Sequence, residues 1–153
     1  MTNNDILRRL RYALSLNDAD MIAIFANMSH QLPSKQLRQI MAKETEDDYQ
    51  PCDDTTLAMF LDGLIIKHRG LKTPGQLPAK VDTITKNEML MKMRIALELK
   101  AEDIIAILAL VDFRLSKSEL SALFRKSDHR NYKACGDQIL RNFLNGLTTK
   151  LRK

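Results

Sequence analysis

Two cysteines, each set in Tyr-x-x-Cys-x-Asp, are the residues whose types and spacing first suggest chemistry: Tyr49, Cys52 and Asp54, then Tyr132, Cys135 and Asp137. A thiolate is both a nucleophile and a soft metal ligand. One cysteine per segment is not the paired C-x-x-C of a zinc site, so no metal is expected. Nucleophilic catalysis needs a basic neighbour to lower the thiol pKa. His129 stands near Cys135, but Glu46 holds the corresponding place before Cys52, and Asp54 or Asp137 would raise a nearby thiol. The expected state is a pair of buried thiols, with a Cys52–Cys135 disulfide as the minor alternative.

Arginine supplies the second set. Arg11 and Arg94 each sit at the margin of an apolar helical stripe, where a guanidinium must find an acceptor. The expected acceptors are Asp20 and Asp103, or Asp54 and Asp137, giving structural ion pairs; an anion site shared by the two arginines is the functional alternative. A third set is a basic loop, Arg125, Lys126, His129, Arg130, Tyr132 and Lys133, suited to anion or nucleic-acid contact. Its counterpart, Lys43-Glu44-Thr45-Glu46-Asp47-Asp48-Tyr49, is acidic. A solvated surface, a pairing of the two loops within or between chains, and a phosphate contact are all open readings.

The elements that must position these residues come in two copies. Asn4 to Gly70 aligns without a gap onto Asn87 to Lys153, with about a third of positions identical, which marks an internal duplication. Each copy reads as four helices. The first spans Asp5 to Leu16, with Leu7, Leu10 and Leu14 on one face. Asn17 and Asp18 then cap a second, built on Met21, Ile22, Ile24 and Phe25. Its counterpart, Ile104 to Val111, is rich enough in β-branched residues to raise a strand alternative, but shares the helical frame. Pro33-Ser34 and Ser116 open a short third helix, and a polar loop follows at Lys43 to Asp53 and at Lys126 to Gly136.

The last helix carries Leu57, Phe60, Leu61 and Leu64, repeated as Leu140, Phe143, Leu144 and Leu147. Gly63 and Gly146 interrupt it, which predicts a close helix contact or a frayed end. The fold expected is all-α, two pseudo-symmetric repeats packed as one body: residues 1–70, a linker at 71–85 holding Pro74, Gly75 and Pro78, and residues 86–153. Charge divides with the copies. Residues 1–70 hold eight Lys and Arg against ten Asp and Glu, whereas residues 71–153 hold sixteen against nine.

Composition narrows the class. Hydrophobic content of 44% with 28% charged residues is that of an ordinary globule, and no apolar run is long enough for a bilayer span. The opening Met-Thr-Asn-Asn-Asp lacks the basic-then-apolar layout of a signal peptide, so the expected compartment is the cytoplasm. No Gly-rich phosphate loop, H-E-x-x-H or G-x-S-x-G is present, and no catalytic set or cofactor is expected.

Three segments carry a family resemblance: Asn4-Asp5-Ile6-Leu7-Arg8-Arg9-Leu10-Arg11-Tyr12-Ala13-Leu14, Met93-Arg94-Ile95-Ala96-Leu97-Glu98-Leu99-Lys100, and Cys135-Gly136-Asp137-Gln138-Ile139-Leu140-Arg141-Asn142-Phe143-Leu144-Asn145-Gly146-Leu147. Through them the whole chain resembles the YehS-like family, a bacterial duplicated domain of unknown function. The resemblance implies an intracellular bacterial protein without an established enzymatic activity, and it supplies no catalytic residues. Pro51-Cys52-Asp53-Asp54 departs from Ala134-Cys135-Gly136-Asp137 in the second copy. The expected role is a small helical interaction module with a protein partner or self-association, and nucleic-acid binding through the basic loop is the rival.

Overall fold

Reciprocal caps start the helices. Thr2 with Asp5, Asn17 with Asp20, Thr85 with Glu88 and Ser116 with Glu119 each satisfy two backbone N–H groups that the helix itself cannot. The computed structural model describes residues 1–152 and contains eight helices. The first repeat holds α1 (Asn3–Ala13), α2 (Asp18–Ala26), α3 (Ser34–Met41) and α4 (Asp54–Arg69); the second holds α5 (Lys86–Ala96), α6 (Ala101–Ala109), α7 (Lys117–Leu123) and α8 (Asp137–Leu151). The Ile104 to Val111 segment is therefore helix through Ala109, not strand. Among the described residues, the single β-bridge joins Thr73 to Gln76 in the linker.

The first helix begins two residues earlier than its apolar pattern and ends three residues sooner. Its end is set by Ser15, which adopts the left-handed region at φ 55°, as Glu98 does at 54° after α5. Ser29 and Asp112, at 56° and 58°, terminate α2 and α6 in the same way. Each of these four positions uses a conformation that glycine takes without strain.

Apolar faces then decide the packing. Within each repeat α2 lies on α4 and α6 on α8, while the strongest contacts cross between repeats, α4 on α5 and α1 on α8. Exchanging the copies maps one crossing onto the other, so the body has a pseudo-two-fold relation. Leu57, Phe60, Leu61, Leu64, Leu140, Phe143, Leu144 and Leu147 belong to one continuous core that draws on all eight helices. Each such side chain, fully buried, stabilises by roughly 1.5–3 kcal/mol relative to exposure.

The repeated glycines are contact residues, not helix ends. A Cβ on Gly63 would stand 2.1 Å from the Ile24 carbonyl oxygen, and one on Gly146 would stand 2.2 Å from that of Ile107. The linker leaves the end of α4 and returns to its start, where the Thr55 hydroxyl donates to the Val81 carbonyl (2.8 Å) and Asp54 accepts from the Ile84 amide (3.1 Å). Among the described residues, no helix is long and apolar enough to cross a membrane.

Candidate functional site

Each polar loop hangs from a buried asparagine. Asn4 donates to the carbonyls of Ile40 and Gln50, both at 2.8 Å, and its Oδ1 accepts from the Cys52 amide (2.9 Å) and the Tyr49 hydroxyl (3.3 Å). Asn87 repeats the clamp on Leu123 (2.9 Å), Lys133 (2.8 Å) and the Cys135 amide (2.8 Å). An asparagine suits the place because one side chain supplies two donors and an acceptor to backbone groups that are otherwise unpaired. The reading of the sequence missed this residue, although an identical Asn opens each copy of the alignment.

The cysteines serve that turn as small apolar residues. Both are buried free thiols, and no disulfide joins them. Burial, with the Asp53 and Asp54 carboxylates adding to it, pushes the Cys52 thiol up to about 12. Burial also outweighs the Lys86 ammonium at Cys135 and, with Asp137, pushes that thiol up to about 11. Neither residue is a ready nucleophile. Cys135, His129 and Asp137 do not converge: His129 Nδ1 accepts from the Asn131 amide (3.0 Å), Cys135 Sγ lies 3.5 Å from the Gly136 carbonyl, and Asp137 faces Lys86 at 3.2 Å. Among the described residues no three His, Cys, Asp or Glu side chains group as metal ligands would.

The arginine pairings differ from those expected. Arg11 binds Asp18 at 2.6 Å and donates through Nε to the Leu16 carbonyl (3.1 Å), instead of meeting Asp20 or Asp54. Asp20 is withdrawn by its own cap, accepting from the Asn17 amide at 3.0 Å, and Asp54 accepts from Asn3 at 2.8 Å. Arg94 likewise meets neither Asp103 nor Asp137. It donates to the Leu99 carbonyl (3.1 Å) and lies 4.8 Å above the Phe124 ring, because Ala101 replaces Asp18 in the second copy. Asp103 caps Lys100 at 2.7 Å. Asp137 accepts from the Met1 amino group at 2.9 Å, and that group with the Lys86 ammonium holds its carboxyl below the usual range. The two arginines thus have different side-chain partners, a carboxylate for Arg11 and an aromatic ring for Arg94.

The 43–49 and 126–132 loops have one backbone and opposite charge. Glu46 N to Lys43 O (2.9 Å), Tyr49 N to Glu46 O (3.2 Å) and Gln50 N to Gln39 O (3.0 Å) recur as His129 N to Lys126 O (2.9 Å), Tyr132 N to His129 O (2.9 Å) and Lys133 N to Ala122 O (3.0 Å). Glu44, Glu46, Asp47 and Asp48 are exposed on one, and Arg125, Lys126, His129, Arg130 and Lys133 on the other. No ion pair joins the loops, and none of those four Lys and Arg residues meets a carboxylate within 4 Å among the described residues. Half-buried Tyr132 and Phe124 line a pocket of about 370 Å³ together with Met91, Arg125 and Lys126. An aromatic wall beside unpaired cations has the means to hold a flat or anionic group.

The family described as protein of unknown function (DUF1456) matches the chain twice, at residues 3–70 and 86–153. The chain is also 41% identical over 150 residues to the uncharacterized protein YehS of Escherichia coli (strain K12), covering 98% of this chain and 96% of that protein. No solved structure matches.

Proposed function

We propose that this chain, which belongs to the DUF1456 family of proteins of unknown function, is a helical interaction module without catalytic activity that associates with further copies of itself in the cytoplasm. One observation carries the reading: two loops with the same backbone bonds and the same asparagine anchor differ in the sign of their exposed charge. The scaffold, residues 1–70 and 86–153 joined by 71–85, does not use the Arg125, Lys126, Arg130 and Lys133 charges to hold itself together. They remain available to an acidic surface, and the Glu44 to Asp48 loop of a second copy is one that the chain itself supplies. If each loop meets its opposite on the same partner, the contact closes as a two-fold dimer; if it meets them on different partners, the contact is heterologous and closes into a ring or extends as a chain.

Charge exchange tests it. Arg125→Glu with Arg130→Glu should abolish association at low salt, and so should Glu46→Lys with Asp47→Lys. Mixing the two variants should restore a heterodimer. Failure of the mixture to associate, with the native chain associating, places the contact elsewhere.

A second reading is favoured by Tyr132 and Phe124 beside Arg125 and Lys126, since aromatic and cationic side chains together suit an unpaired base and its phosphates. Anisotropy of a labelled single-stranded oligonucleotide tests this: binding should weaken steeply from about 50 to about 200 mM salt, with a slope that flattens by roughly one unit per phosphate contact removed.

A further inference from the structure

Beside the α4–α5 crossing lies a groove of about 600 Å³, walled by Ile65 and Ile66 of α4, Ile95 of α5, and Leu71, Leu77 and Pro78 of the linker. Its size falls within the range of small-molecule sites. Lys92 and Asp62 also line it, as an ion pair at 2.5 Å in which the Asp62 side chain is 7% exposed and that of Lys92 26%.

The pseudo-symmetry supplies an internal control. At the equivalent α8–α1 crossing no carboxylate takes part: the Arg9 guanidinium donates to the uncharged amide of Asn145 at 2.7 Å, in an exposed hydrogen bond. There Arg152 lies 4.1 Å above the Tyr12 ring and donates to the Tyr12 carbonyl and the Ser15 hydroxyl, so the chain's own guanidinium occupies one face of a ring that otherwise stays 58% exposed. At the α4–α5 crossing the corresponding residues are Lys92, Asp62, Arg69, Ile95 and Glu98. Glu98 draws Arg69 away at 2.8 Å, and Ile95 is left 42% exposed. Since a hydrogen bond between Arg9 and Asn145 suffices at one crossing, a largely buried ion pair at the other carries a desolvation cost that the packing does not require.

The polar inventory of the groove favours an anion. Lys92 has three N–H donors and gives one, to Asp62; Lys72 lines the same groove and meets no carboxylate among the described residues. We infer that the groove binds an amphiphilic anion, a carboxylate on an apolar body, with its head at Lys92 and Lys72 and its body along Ile65, Ile66, Leu77 and Ile95. The linker, which passes only this crossing, forms the outer wall.

The probes are decanoate, decanol and acetate, each titrated into the full chain with methyl-labelled isoleucine followed by NMR. Decanoate should saturate and shift the Ile65, Ile66 and Ile95 methyls, decanol should bind about tenfold more weakly, and acetate should not bind. Ile95→Tyr, which copies the other crossing, should abolish binding, and Lys72→Glu should weaken it about tenfold. Both positions are exposed, and unchanged circular dichroism will confirm the fold. Decanol binding as tightly as decanoate, acetate saturating the same methyls, no saturation by decanoate below its micelle concentration, or unchanged affinity in either variant would overturn the assignment.

Discussion

Gly63 and Ile24 are in backbone contact: the α-hydrogen of the glycine occupies the only space that the isoleucine carbonyl leaves, and Gly146 meets Ile107 in the same way. Alanine favours a helix over glycine by about 1 kcal/mol, so in an open helix Gly63→Ala would stabilise. Here the obstruction is backbone, which cannot swing aside. Gly63→Ala and Gly146→Ala should each cost about 2–4 kcal/mol, measured by urea unfolding, because α2 or α6 must move off its neighbour. Wild-type stability in both would show that these helices are not in contact.

The buried asparagines make a second stability prediction. Asn87→Ala leaves the Leu123 and Lys133 carbonyls and the Cys135 amide without their partner. At about 1–3 kcal/mol per stranded group, partly relieved by water, a loss of about 3–5 kcal/mol is expected, with faster amide exchange confined first to the 124–135 loop. Asn4→Ala should behave alike in the first repeat.

Much of this was legible in the sequence. Apolar spacing marks all eight helices, whereas the repeated glycine fits a close approach or a frayed end equally well in the sequence, and only the structure selects the close approach. The Arg11 partner was not legible, because Asp18 and Asp20 are both within reach in sequence and only the cap geometry shows that Asp20 is committed to Asn17. Asn4 was hidden for a different reason: a polar residue in the first turn of a helix usually faces water, and nothing local to it announces that a loop nearly fifty residues away folds over it. The opposite charges of the loops were plain, whereas their common backbone needed the structure.

The thiols predict a pH dependence. Both cysteines titrate higher in the folded chain than in the unfolded one, at about 12 and about 11 against 9.0. The folded state therefore holds protons that the unfolded state releases. Their contribution is fully present below pH 9 and falls as pH rises from there toward 11 and 12. Alkylation by iodoacetamide at neutral pH should be slow in the native chain and rapid in urea. Rapid labelling of the native chain would contradict their burial.

Left-handed backbone at Ser29 offers the opposite kind of variant. At φ 56°, on an exposed turn, Ser29→Gly should stabilise by about 0.5–1 kcal/mol, read as a higher melting temperature. A lower melting temperature would mean that the serine side chain holds the turn.

The proposal that opposed loops join copies of this chain meets its most direct test in sedimentation velocity of the intact protein, run over a concentration series at about 50 and about 200 mM salt, where screening of exposed charges differs most usefully. The account predicts association at low salt that high salt dissolves. A monomer at every concentration under both conditions would contradict it.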